Sequence, residues 1–174
     1  MNTLNDNSPN LPAWMTELLD QVKRITFLAD DEETVISRCS GPFVVCEAQL
    51  SYDELEKLEE EDDFTRELAR LVQAKWSATK RELCEKALLL ENTFYKIQAG
   101  KRQPGRDTII CLALALRLSV KETQHLLGYL GYGLSKHIKR DFVIMYCLEK
   151  GKSPVEVNLV LEKCGLRLLG PNEQ

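Results

Sequence analysis

Start and stop signals for helices recur at short intervals from Phe64 to Gly165, and they leave room for little besides a string of short helices. Thr79, Ser119 and Ser153 can each accept from the free N–H groups of a helix start. Ser119 and Ser153 are followed three residues on by Glu122 and Glu156, the reciprocal capping-box pattern. Pro154 occupies a first-turn position, where its missing N–H costs nothing. Gly100, the Gly131-Tyr132-Gly133 turn, Gly151 and Gly165 supply the stops.

Between these marks, apolar residues recur at helical spacing. A helix from Phe64 carries Phe64, Leu68, Leu71 and Val72 on one face and ends at Trp76. A short helix capped by Thr79 turns Leu83, Cys84 and Ala87 inward, and a third runs from about Glu91 to Ala99. The fourth is predicted over Asp107–Leu118, with Ile109, Ile110, Leu112, Ala113 and Leu116 in the core, and the fifth from Ser119 through Leu130. Two more follow, from Ser135 or Lys136 to Lys150 and from Ser153 to Cys164. This C-terminal hairpin carries Phe142, Ile144, Met145, Leu148, Val157, Val160 and Leu161, enough to pack on the preceding unit or on a second copy of the chain.

The N-terminal third has a different character. After a polar stretch over residues 1–10, a docking helix over about 12–28 shows the stripe Trp14, Leu18, Leu19, Val22, Ile25 and Phe27, opened by Pro12. Residues 29–50 are irregular, with the β-prone run Phe43-Val44-Val45-Cys46. Ser51 and Glu54 cap a short helix over 51–58, and Glu59 to Asp63 form an acidic run read as a solvated face. The expected organisation is an all-α chain: an acidic extension (1–63), a central five-helix unit (64–130) and a helical hairpin (131–174).

Charge divides along the same line. The chain carries −4 in all, but its first 63 residues hold 16 acids against 4 bases, and the remainder 11 acids against 19 bases. An acidic whole therefore conceals a basic two-thirds, the sign a partner with phosphates would select.

Several classes are set aside. No run is apolar enough to cross a bilayer, and the first residues lack the basic start and apolar core of a secretory signal, so a cytoplasmic protein is expected. Cys39, Cys46, Cys84, Cys111, Cys147 and Cys164 are scattered, with His125 and His137 the two histidines; reduced, buried thiols are expected rather than a metal site. No phosphate loop, H-E-x-x-H or G-x-S-x-G is present, so neither an enzyme nor a cofactor is expected.

The spacing from Thr79 to Gly100 is that of a helix-turn-helix, a short helix, a tight turn and a second helix short enough to lie in a major groove. The stretch Thr79-Lys80-Arg81-Glu82-Leu83-Cys84-Glu85-Lys86-Ala87, continued by Tyr95-Lys96-Ile97-Gln98-Ala99-Gly100-Lys101-Arg102-Gln103-Pro104, resembles the lambda-repressor-like, XRE/Cro-type family. The resemblance covers about Phe64 to Tyr129. It implies a DNA-binding transcriptional regulator that acts as a homodimer on double-stranded DNA, and it suggests a bacterial or phage origin. Under it, Thr79 and Lys80 would meet phosphate, while Asn92, Thr93 and Lys96 would face base edges. Lys101 and Arg102 would grip the adjacent backbone, with Lys75 and Arg106 as outer contributors. Phe94 and Ile97 are spaced to pack the recognition helix on the core.

Two departures from that pattern stand in the turn. Leu88-Leu89-Leu90 replaces the family's usual glycine, apolar residue and serine or threonine, and Glu91 opens the recognition helix with a carboxylate that could accept from a cytosine amino group. These features, with the acidic N-terminal third, support an alternative: an antitoxin-like or adaptor protein that uses the scaffold for protein contact. The basic tract His137-Ile138-Lys139-Arg140-Asp141 reads as a solvated helix start outside the site.

Overall fold

A computed structural model describes residues 11–25 and 64–170. Among the described residues there are eight helices and no strand: α1 (Ala13–Arg24), α2 (Phe64–Lys75), α3 (Lys80–Lys86), α4 (Glu91–Gln98), α5 (Arg106–Ala115), α6 (Val120–Gly128), α7 (Lys139–Glu149) and α8 (Pro154–Lys163). The expected irregular stretch over 29–50, the 51–58 helix, the acidic run to Asp63, and Cys39 and Cys46 lie outside the described residues.

The caps expected from sequence form the helix starts. Thr79 accepts from the Glu82 N–H at α3, and Ser119 and Ser153 make complete capping boxes with Glu122 and Glu156. Helix ends follow one rule. At α3 to α8 the chain closes on a residue with positive φ, whose N–H and whose successor's N–H reach back to the carbonyls three and five residues earlier. Gly100, Gly131, Gly151 and Gly165 fill that position after α4, α6, α7 and α8, where an L side chain would be strained. After α3 and α5 it is filled by Leu88 (φ 56°) and Arg117 (φ 52°), a conformation costing a non-glycine residue roughly 1–2 kcal/mol.

Arg117 corrects the expected extent of the fourth helix, since α5 ends at Ala115 with Leu116 as its cap rather than continuing to Leu118. The apolar pattern runs on because Leu116 and Leu118 are both buried on either side of the turn. The start of α7 is also corrected, from Ser135 or Lys136 to Lys139. Asp141 reaches back to accept the Ser135 N–H at 2.9 Å, and the Ser135 hydroxyl accepts from the His137 N–H at 3.3 Å, which holds Ser135 to His137 in a loop.

One continuous core runs from Met15, Leu18 and Val22 of α1 to Leu169 near the C-terminus. In α1 Met15 joins Leu18 and Val22 in the core and Trp14 and Leu19 pack against it half-buried, but the expected stripe stops short, because the helix ends at Arg24 and leaves Ile25 extended and 40% exposed. Helix α5 lies at the centre, packed on α3, α6 and α8, and α7 packs on α1, α6 and α8. The C-terminal hairpin therefore packs on the preceding helices of its own chain. Two side-chain amides fasten the connections: Gln124 donates to the Leu134 carbonyl and accepts its N–H, and Asn158 does the same for Leu169.

The hairpin is also joined to α5 through buried charge. Arg140 makes a two-pronged pair with Asp107 at 3.0 and 2.9 Å, its Nε donates to the Arg167 carbonyl at 2.9 Å, and Arg167 reaches the same carboxylate at 3.3 Å. Arg106 pairs with Asp141 at 2.6 Å and donates to the Gly133 carbonyl. The reading of the tract 137–141 as a solvated face is thereby corrected, because Arg140 and Asp141 are buried. Their partners stand far away in sequence.

Cys84, Cys111 and Cys147 are buried free thiols and Cys164 is half-buried; burial pushes the Cys111 and Cys147 thiols up to about 12. Among the described residues no cluster of His, Cys, Asp and Glu could hold a metal, and no helix is long and apolar enough to cross a membrane.

Candidate nucleic-acid interface

Helices α3 and α4 are joined by a turn whose shape follows from Leu88. With Leu88 left-handed, its N–H bonds to the Glu85 carbonyl at 3.3 Å and the Leu89 N–H to the Cys84 carbonyl at 2.9 Å. The reversal sends Leu89 into the core and turns Leu90 out, 75% exposed, at the cap position of α4. Leu90 has no side chain able to accept from the first N–H groups, and Glu91 supplies negative charge to the first turn instead. Phe94 and Ile97 are buried and seat α4 on α2 and α3.

Of the candidate residues, Thr79, Lys80, Glu91, Asn92, Lys96, Lys101 and Arg102 are exposed and Thr93 is half-buried. The Thr79 side chain is engaged as a cap, and the Trp76 indole N–H donates to the Thr79 carbonyl at 2.9 Å, fixing the approach to α3. Lys80 bridges the two helices, donating to Gln98 at 3.1 Å with its ammonium 5.5 Å from the centre of the Tyr95 ring. The Lys96 carbonyl accepts from both the Lys101 and Arg102 N–H groups, at 2.9 and 3.2 Å. Both residues are thus held directly past the end of α4.

Two residues of this face escaped sequence reasoning. Tyr95 is 48% exposed on α4. Its signal was its place three residues after Asn92, on the side opposite Phe94 and Ile97. Arg81 lies 3.2 Å from Glu85 and 3.7 Å from Glu91, so the carboxylate opening α4 faces a cation. Exposed pairs of this kind add little stability, yet they reduce the local negative charge. Residues 79–102 hold six bases and three acids.

Of the outer contributors, Arg106 is corrected. Lys75 is held by Glu122 at 3.1 Å, and Arg106 is committed to Asp141 and the Gly133 carbonyl with its side chain 16% exposed. A guanidinium held by a buried carboxylate, as Arg106 is, is not available to a phosphate, whereas Lys75 stands in a half-exposed pair. No family model matches the chain, and no curated protein or solved structure matches it.

Proposed function

We propose that this chain is a sequence-specific DNA-binding regulator, in which α2 to α6 form a lambda-repressor-like unit and α4 is the recognition helix. The observation that carries the reading is the α3–α4 turn, in which Leu88, at the position where that family usually has a glycine, takes the left-handed conformation that glycine adopts without strain. The turn delivers the exposed face of Glu91, Asn92, Tyr95 and Lys96, with Lys101 and Arg102 beyond it. Asn can pair with adenine, Glu can accept from cytosine and Lys can meet guanine, so the face holds the side chains that direct readout uses. Lys80, Lys101 and Arg102 supply phosphate contacts that set register without reading sequence. Two copies would read two half-sites about one helical turn apart.

Selection from a random-sequence DNA library at two salt concentrations tests the reading, with a Lys101→Glu/Arg102→Glu variant beside it. The expected result is a palindromic motif, lost in the variant, with affinity falling by about 0.9 in log K per log unit of salt for each phosphate contact. A folded protein that enriches nothing would rule the reading out. A second reading, a scaffold for protein contact, is favoured by Leu90, whose exposed apolar side chain has no core role. Under that reading, Leu90→Ser weakens partner capture while DNA shows no enrichment.

A further inference from the structure

A cleft of about 420 Å³ opens between the end of α2, the end of α5 and the turn joining α7 to α8. Its wall places Lys75, Lys86, Arg117 and Lys152 around Trp76, with Glu156 as the one carboxylate. None of its lining residues comes from α4 or the loop after it, so it is separate from the proposed DNA face. The volume lies in the range of small-ligand sites.

The charges are unequally committed. Glu156 is tied into the α8 capping box and to Lys152 at 3.3 Å, and Lys75 is held by Glu122. Lys86 and Arg117 have no carboxylate partner among the described residues. The Lys86 ammonium stands 4.9 Å from the centre of the Trp76 ring, whose indole N–H is fixed by Thr79. Two cations are thus presented at one concave surface.

Arg117 carries the second observation. It sits at φ 52° in a position that glycine fills after four other helices. Leu88, equally strained, is half-buried and gains packing in exchange. The Arg117 side chain is exposed and gains none, so strain is kept where packing gives no reason for it. A guanidinium at the lip of a basic cleft does give one, because its fork matches a phosphate group.

We propose that this cleft binds a small oligophosphate, a di- or triphosphate free or carried on a nucleoside, with Arg117 and Lys86 as its clamp. Calorimetric titration of the full chain with inorganic triphosphate and with a nucleoside triphosphate, alongside tryptophan fluorescence, tests this. Saturable binding is expected, weakened about tenfold or more by Arg117→Gly. The same substitution relieves the backbone, so its thermal midpoint should rise by roughly 2–4 °C, and loss of binding then has no explanation in misfolding. Tighter binding of the nucleoside form assigns a nucleotide, and equal binding assigns the phosphate chain alone. Absence of saturable binding, unchanged affinity in Arg117→Gly, or a loss confined to Lys101→Glu/Arg102→Glu would each overturn the proposal.

Discussion

Two basic stretches that look alike in sequence, Lys101-Arg102 and Lys139-Arg140, meet opposite fates. The first pair stands in water past the end of α4, placed there by backbone hydrogen bonds to the Lys96 carbonyl. In the second, Arg140 is drawn inside and clamped to Asp107, with two backbone carbonyls accepting from its Nε and Nη2. A cluster of cations is available to a partner only where no buried carboxylate has claimed it. That distinction depends on residues more than thirty positions away, so local charge patterning cannot supply it.

Arg140→Ala should have the largest effect. It strands Asp107 in the core with only the partly exposed Arg167 nearby, and unfolding by denaturant should show a loss of about 3–5 kcal/mol. A loss below 1 kcal/mol would mean that water or Arg167 can replace Arg140.

Position rather than charge governs the exposed stretch, and Gly100→Ala tests that. An added Cβ meets only Thr65 Cγ2 at 3.9 Å, so the cost of about 1 kcal/mol comes from the φ of 66°. Leu88→Gly removes the same kind of strain and should raise stability by a smaller amount, because some packing is lost with it.

Between the two extremes lies Lys75–Glu122, a half-exposed pair. The Glu122 carboxyl is held down at about 2 by the Ser119 backbone N–H first, then by the Ser119 hydroxyl and Lys75. Because folding lowers this pKa, its contribution is complete above the ordinary value of 4.5 and is lost as pH falls toward about 2. Stability measured across that window should fall less steeply in Glu122→Gln than in the parent protein. Identical slopes would remove Glu122 from the account.

The smallest effect belongs to the exposed cations. Lys101→Ala and Arg102→Ala should each change unfolding free energy by less than about 0.5 kcal/mol while weakening the proposed DNA binding. A large loss of stability in either would erase the contrast with Arg140.

What was legible in the sequence follows the same division between near and far. Thr79, Ser119 and Ser153 cap their helices through residues three positions on, and Phe64, Leu68, Leu71, Val72, Phe94 and Ile97 keep the helical period that their burial demands. Turns filled by glycine were legible, whereas the turn at Arg117 was not, since nothing in an arginine announces positive φ. The start of α7 was missed because Asp141 is engaged by Arg106 and by the loop before it. In the candidate interface the eight named residues all reach the surface, in part or fully. Arg106 did not remain available, being claimed by the buried Asp141 on another helix, while Lys75 stands in a half-exposed pair with Glu122.

The Asp107 junction also bears on how the molecule opens. Asp107 lies in the first turn of α5, immediately after the loop that carries Lys101 and Arg102, and its partners Arg140 and Arg167 belong to the last third of the chain. Peeling the hairpin away would uncover that carboxylate and loosen the beginning of α5 in the same event. Amide protons in α7 and in the first turns of α5 should therefore exchange with solvent together, as one cooperative unit rather than as a body and its appendage.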